Sequence, residues 1–523
     1  MKKFFAAIFA LAIALAACAA PVRVAAPPAA APQVVADFGY RRSVNALGYT
    51  DVAYHEWDAP DVAPQAKKLR TLLIYMNGSD LESETGAGTA DLKELCKSGV
   101  DEGAVNVVIF TGGANRWHAK AISDTQCEIS VLKNGKIAPV ATVGERDMGD
   151  AGTLAAFIKF GLANYPAEHT SLILWDHGGG SIAGYGADEK FNMSALTLRE
   201  LEFAFAKAVP ADAPLEFLGF DACLMANVET ALIAAPYAEF LVASESLEPG
   251  SGWDYRAVQI LGERDADGAT VSAALAEAYI LSGGAEPEEE LAISVVRTDG
   301  AESVMGALGL LAERCREDLT HGGFAELTTA RRGTKTFGDG TPQDADCDMI
   351  DVADFAAALA ERYPKEAEDV RSALANAVAY NSYYSDRDLG GLSAYHIFGG
   401  AADAAQYTLA VYADLQMSEQ YTRYLFDFAN LLAQSAEILL DAPDREAELF
   451  GKRAELYEIS RNYNGMLYGA ACTVNGEKAD ALVFFDDGAA AGRILGYRKQ
   501  DGYLIQKGYD EFKPDDVVEF PTA

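Results

Sequence analysis

Two short apolar runs, Leu172–Trp175 and Leu215–Phe220, each stop at a polar turn and read as strands buried in a sheet. The first runs on into Asp176-His177-Gly178-Gly179-Gly180, the second into Asp221-Ala222-Cys223. Further along the period changes. Val271–Leu281, Val352–Arg362 and Val370–Tyr380 read as amphipathic helices, Gly391–Phe398 as another strand, and Ser418–Leu440 as a long helix. From about residue 445 the pattern shifts again. Leu467–Val474, Ala481–Phe485 and Arg493–Arg498 are short strand candidates separated by Asn-Gly and Asp-Asp-Gly turns, which predicts a small β-rich appendage.

The two leading runs share a grammar: a buried strand that ends at a reactive side chain. In open α/β sheets function gathers beyond the carboxyl ends of the strands. Two adjacent parallel strands would therefore deliver the His177 imidazole and the Cys223 thiol to one crevice. A thiolate is a strong nucleophile, and a nearby histidine removes its proton and later protonates a leaving amine. Gly178 lets the backbone pass close to substrate, and its N–H can face a developing oxyanion, a contact typically worth ~3–4 kcal/mol. A cysteine at a strand end is by default a small buried hydrophobe. It is the matched contexts and the glycine run that favour chemistry. Asp176 is not expected to reach the ring of His177, because neighbouring strand residues point to opposite faces.

The strings Trp-Asp-His-Gly-Gly-Gly and Phe-Asp-Ala-Cys-Leu-Met-Ala, in this order, resemble the two active-site blocks of the clostripain-like cysteine peptidases, a family within the caspase-like group. Leu72–Asp80 and Val107–Gly113 resemble that family's first and second strands with their loops. Met148-Gly149-Asp150 and the stretches Ala243–Glu245 and Glu248–Tyr255 resemble further blocks. The resemblance is close over about residues 66 to 260 and weaker to about 400. It implies a caspase-like three-layer α/β sandwich with a mainly parallel central sheet. It also implies a Cys-His dyad, with His177 as general base and acid, Cys223 as nucleophile, and the N–H groups of Gly178 and Cys223 as oxyanion hole. Asp221 matches a position lining the pocket for the residue before the scissile bond, where a carboxylate selects Arg or Lys. It is also a good N-cap for a helix starting near Cys223, and the two roles are compatible. Ser251 stands where some relatives carry a second acid, which would leave one carboxylate in the pocket. Some relatives cut themselves between the two blocks. Lys190, in the polar stretch Asp188–Asn192, is the candidate site here, and an ordinary loop is the alternative. Calcium dependence occurs among relatives, so a calcium site built from scattered carboxylates stays open; no metal ligand set is assigned. Asp344–Asp348 lacks the glycine and glutamate of a calcium loop and reads as a solvated acidic loop.

The chain opens Met1-Lys2-Lys3 and then runs apolar from Phe4 to Ala17, the n- and h-regions of a signal peptide. Leu15-Ala16-Ala17-Cys18 resembles a bacterial lipobox, which implies lipid on the Cys18 thiol and a membrane anchor at the outer membrane or cell surface. An Ala/Pro-rich tether follows. The division is then 1–17 signal, 18–65 tether and lead-in, 66–445 peptidase domain and 446–523 β-rich region. The 42 Lys and Arg against 78 Asp and Glu give a formal net charge of −36, which argues against nucleic acid and favours cationic substrates. The reading is an exported, lipid-anchored cysteine endopeptidase that cleaves after Arg or Lys through a thioester. Its rival is a catalytically inactive peptide- or partner-binding surface lipoprotein. A third reading, a transpeptidase, uses the same dyad but resolves the thioester with an amine.

Overall fold

The computed structural model describes residues 52–519 apart from 58–59, 61, 284–289, 320–322, 339–346, 386, 399–401, 441–445, 450–451, 463–464, 487–492 and 500–516. Its centre is one nine-stranded sheet: β1 (Lys68–Asn77), β2 (Val105–Gly112), β3 (Cys127–Leu132), β4 (Ile137–Gly144), β5 (Ala167–Trp175), β6 (Leu215–Asp221), β7 (Ala238–Ala243), β8 (Leu291–Arg297) and β9 (Val378–Tyr384). The spatial order is β9-β8-β7-β6-β5-β1-β2-β3-β4. The five central strands, β2-β1-β5-β6-β7, are parallel, and an antiparallel pair closes each edge.

The unbroken apolar runs follow from this arrangement. A parallel strand covered by helices on both faces has no wet side and no reason to alternate. All residues of β2 and β6 are buried, as are the last nine of β1. On one face lie the helices Ala151–Asn164, Leu198–Ala208, Val228–Ala234 and Ala301–Leu319. On the other lie Ala87–Leu95 and Gly268–Gly283. The chain starts in the middle of the sheet, runs to the β4 edge, and returns through β5 to the opposite edge. The strand order therefore reverses between β1 and β5, and a crevice opens at their carboxyl ends.

Two elements differ from their sequence reading. The helix expected over Val370–Tyr380 spans Pro364–Ala377, and Val378–Tyr380 instead begin β9. Cross-strand pairing of Val378 with Val296 and Tyr380 with Val295 overrides the helical period there. The acidic loop is not wholly solvated. Residues 344–346 lie outside the described residues, but Asp348 is buried, 3.6 Å from Arg331, and accepts the Phe398 N–H at 2.9 Å. The lead-in before β1 packs onto the sandwich: Tyr54 lies 4.7 Å from the Phe203 ring, and His55 Nδ1 is 2.8 Å from Asp150. Beyond residue 445 the described strands form two small antiparallel sheets, the larger built around Gly465–Val474 and Glu477–Asp486. Among the described residues no helix is long and apolar enough to cross a membrane.

At the amino ends of the strands, Arg70 on β1 reaches across β5 to Glu216 on β6 with two bonds, Nε–Oε2 at 2.9 Å and Nη2–Oε1 at 3.0 Å. Both side chains are buried, and the guanidinium also donates to the carbonyls of Leu261, Glu263 and Ala266. Removing one partner leaves an uncompensated buried charge, which costs ~3–5 kcal/mol. Arg70→Ala should lower the unfolding free energy by about that amount in urea titration, whereas the double change Arg70→Met, Glu216→Leu should lower it much less. Equal losses would mean that packing, and not the ion pair, holds these strands.

Candidate active site

The geometry of the site is set by strand register. In the β5–β6 ladder Trp175 pairs with Asp221. His177 lies two residues past the first and Cys223 two residues past the second, so both reactive groups leave the sheet at the same height. The loops then press together. A Cβ added to Gly178 would sit 1.9 Å from the Cys223 carbonyl oxygen and 3.0 Å from the Cys223 nitrogen, so only glycine fits. The Cys223 turn is sharp: Leu224 holds φ at +65°, a left-handed conformation that costs a branched residue roughly 1–2 kcal/mol. The turn is pinned by Leu224 N–H to the Ser246 carbonyl (3.1 Å) and Ala226 N–H to the Ser244 carbonyl (2.8 Å).

His177 is about a quarter exposed (24 %), and its Nε2 is 2.8 Å from Oδ1 of Asp80, a residue in the loop after β1. The Ser79 hydroxyl also donates to that carboxylate, at 2.9 Å. Burial alone would push the imidazole down, but the Asp80 hydrogen bond and the charges of Asp176 and Asp80 outweigh it and hold His177 above the ordinary histidine value. Asp80 shows the reciprocal balance: burial works to raise it, and the His177 bond and charge bring it below the usual carboxylate range. Asp176 turns the other way. Its Oδ2 accepts from Asn77 Nδ2 (2.5 Å) and the Ala187 N–H (2.6 Å), tying the His loop to β1 and to the turn that follows. Burial pushes it up to about 8.

The Cys223 thiol faces the loop after β7. The Glu248 N–H donates to its sulfur at 3.1 Å. Burial, and after it the Glu248 charge, pushes the thiol up to about 12, so in this conformation it is neutral. The Glu248 N–H works the other way, since a donor to sulfur favours the thiolate, but it does not outweigh burial.

Near the thiol lies a cluster of acidic side chains. Asp221 is 4 % exposed; the Trp253 N–H donates to its Oδ1 at 3.1 Å and the Tyr255 hydroxyl to its Oδ2 at 2.9 Å. It caps no helix, since the next helix begins at Val228 with Asn227 as its N-cap. The Glu248 carboxyl lies beside it, and Asp91, which accepts the Trp175 indole N–H at 2.7 Å, is within electrostatic reach. Burial pushes Asp221 up to about 7, and burial followed by the Asp221 charge pushes Asp91 up to about 9. Burial, then Asp221, holds Glu248 well above the carboxylate range. The expectation of a single carboxyl in this region is thus revised: Ser251 is exposed on its turn, but Glu248, three residues earlier, brings a second carboxyl to Asp221.

Lys190 does not sit in an open loop. It lies in a short 3-10 turn capped by Asp188, its side chain only 14 % exposed, bonded to the Asp124 carbonyl and 3.5 Å from Glu145. Cys18 lies outside the described residues. Among the described residues no group of three or more His, Cys, Asp or Glu side chains is arranged to hold a metal ion. Sequence reasoning quoted Asp80 and Glu248 inside larger blocks without giving either a role, and it did not single out Asp91. The one available signal was that Asp80 and Glu248 follow strand ends; Asp91 lies within the helix Ala87–Leu95 and has none.

The architecture and chemistry define a cysteine peptidase on a caspase-like sandwich. The chain belongs to the clostripain family, whose model matches residues 74–442. Two solved structures are similar in fold. One is a secreted C11 cysteine protease from Bacteroides thetaiotaomicron bound to an irreversible peptide inhibitor, 16 % identical, with a TM-score of 0.50 over 67 % of this chain and 99 % of that one. The other is a secreted C11 cysteine protease from the same organism, called iotapain, 13 % identical, with a TM-score of 0.51 over 69 % of this chain and 100 % of that one. No curated protein matches the chain significantly.

The Asp80–His177 bond makes a direct prediction. In Asp80→Asn the negative partner is lost, burial acts with less opposition, and the imidazole titrates lower. With six histidines in the chain, the His177 ring signal is assignable by its loss in His177→Ala, and its NMR midpoint should fall in Asp80→Asn from above ~6.5 to below it. An unchanged midpoint would remove Asp80 from the account.

Proposed function

We propose that the chain is an exported, lipid-anchored cysteine endopeptidase that cleaves peptides after Arg or Lys, with His177 and Cys223 as its catalytic pair. The observation that carries the specificity is the cluster of carboxyls beside the nucleophile, which would line the site for the substrate side chain. Asp221 stands two residues before Cys223, is buried, and has no cation among the groups that dominate its titration. A buried carboxyl without a counter-ion is costly, and a substrate that brings a cation relieves that cost.

The proposed reaction is acyl transfer. The thiol gives its proton to His177, and the thiolate attacks the carbonyl carbon of the residue whose side chain lies against the acidic cluster. The oxyanion is met by the N–H groups of Gly178 and Cys223, each typically worth ~3–4 kcal/mol. The imidazolium, held in orientation by Asp80, protonates the leaving amine, and a thioester remains. Water then attacks the thioester with His177 as base, releasing the acid and restoring the thiol. The raised imidazole pKa favours the imidazolium–thiolate form at higher pH than an ordinary histidine would.

The address is part of the proposal: export by the leader and lipid on Cys18, with the acidic peptidase held outside the membrane. Self-cleavage after Lys190 would first require its turn to open, because the side chain is engaged by Asp124 and Glu145.

Fluorogenic peptides ending in Arg, Lys, Asp or Leu test the reading. The wild type should release fluorophore after Arg or Lys only, and Cys223→Ala should lose at least ~10³-fold, the scale on which nucleophile removal acts. Cleavage after Asp or Leu would discard the acidic cluster as selector. Equal rates for wild type and Cys223→Ala would discard the nucleophile.

A further inference from the structure

On the face of the sheet opposite Trp253 and Tyr255, a buried carboxyl joins the two loops that carry His177 and Cys223. Glu229 stands six residues after Cys223, in the helix Val228–Ala234, and is fully buried. Its Oε2 accepts the hydroxyl of Ser181, four residues after His177, at 2.9 Å. Its Oε1 accepts the Tyr412 hydroxyl at 2.9 Å and faces the Tyr395 N–H at 3.4 Å. Burial pushes the carboxyl above its usual range, and the groups that oppose this are N–H and O–H donors, none of them a cation. An acid in an apolar core is destabilising unless its oxygens are bonded, so the reason for an acid here lies in what those oxygens hold.

The two ends of the bridge differ in kind. Tyr412 belongs to a rigid block: its ring stacks on Tyr395 at 5.3 Å, the Tyr395 hydroxyl donates to Thr408 at 2.7 Å, and the Tyr421 hydroxyl donates to the Tyr395 carbonyl at 2.8 Å. Ser181 belongs to the short turn Gly180–Ala183, which continues the His177 loop. The strand Ser393–Tyr395 in that block holds the other loop as well, because the Ser393 N–H donates at 2.9 Å to the carbonyl of Ala226, three residues past Cys223.

Resting on the reading of His177 and Cys223 as the catalytic pair, we propose that Glu229 is a positioning residue: through Ser181 its carboxyl ties the His177 loop to the helix behind Cys223 and so sets the distance from imidazole to thiol. The loop is then held at three points. Asp176 binds Asn77 on β1, Gly178 lies against the Cys223 carbonyl, and Ser181 binds Glu229. Two points leave a rigid loop one rotation, about the line between them; the third removes it. Proton transfer from thiol to imidazole depends on that placement, since a misplacement of about 1 Å costs ~10²-fold in rate.

Ser181→Ala removes one bond of the bridge and leaves Glu229 its contacts with Tyr412 and Tyr395. With the fluorogenic peptide that wild type cleaves best, its kcat should fall ~10–100-fold while KM stays within about twofold. Glu229→Ala should fall as far. Glu229→Gln should recover to within about threefold of wild type, because its amide oxygen still accepts from Tyr412 and its NH2 group donates to the Ser181 hydroxyl. The second readout is the pH dependence of Cys223 alkylation by iodoacetamide, followed on the Cys223 peptide by mass spectrometry. An imidazole within reach lowers the pH at which the thiol reacts, so the midpoint should rise in Ser181→Ala and return in Glu229→Gln. A purely structural bond would leave that midpoint in place. Tyr412→Phe repeats the test from the far end of the bridge with the ring stack retained, and its midpoint should also rise. A folded Ser181→Ala with wild-type kcat or an unshifted midpoint overturns the inference, and so does a Glu229→Gln as impaired as Glu229→Ala. If Ser181→Ala does not fold, Tyr412→Phe decides in its place, and an unshifted midpoint there overturns the inference. If Cys223→Ala keeps wild-type activity, the reading of the catalytic pair fails first, and that result is visible before any of these variants is made.

Discussion

The site depends on one register. Trp175 on β5 is paired with Asp221 on β6, and the relative placement of His177 and Cys223 follows from that pairing. A slip of one residue would turn each side chain to the opposite face of the sheet and separate the imidazole from the thiol. The protein guards this register at both ends of the strands. At the carboxyl end, Gly178 admits the Cys223 carbonyl into space that any side chain would fill. At the amino end, Arg70 bridges β1 to Glu216 on β6, with β5 between them. The three strands that carry Asp80, His177 and Cys223 are therefore fixed relative to one another before any loop contributes.

What the fold secures there, the acidic cluster near the thiol gives back in part. Asp91, Asp221 and Glu248 all bind protons more tightly than they would in the unfolded chain. The folded state holds more protons, so their contribution to stability is full below the ordinary carboxyl pKa of about 4 and declines as pH rises towards about 7 for Asp221 and about 9 for Asp91. A core of buried aliphatic and aromatic residues on both faces of the sheet carries that deficit. Functional sites commonly show this exchange of stability for chemistry. The thiol belongs to the same arrangement: burial beside Glu248 keeps it neutral, so it stays quiet until something displaces it.

The strands were the most legible part of the sequence, because parallel strands buried on both faces leave nearly continuous apolar runs. The helix Glu419–Leu440, with its clear period, was also readable, and so was Gly268–Gly283, which is apolar nearly all round. The end of the Pro364–Ala377 helix was not, since partnership with β8 and not local pattern makes Val378–Tyr384 a strand. At the site, the blocks around His177 and Cys223 stand out by their glycines and strand contexts. Asp80 is 97 residues from His177 in sequence, and no spacing rule joins them. Glu248 is equally opaque. Its side chain reaches Asp221 only because the loop after β7 folds back over Cys223, a tertiary fact with no local signature.

The central claim is that the ends of β5 and β6 form one reactive centre. A peptidyl chloromethyl ketone ending in arginine tests it, because alkylation needs a nucleophile, a proton acceptor and a side chain against the acidic cluster together. Incubated with wild type and with His177→Ala, and mapped by mass spectrometry, the reagent should place a single adduct on Cys223 and label the variant at least ~10²-fold more slowly. An adduct on another cysteine, or equal rates in the two proteins, would contradict the account.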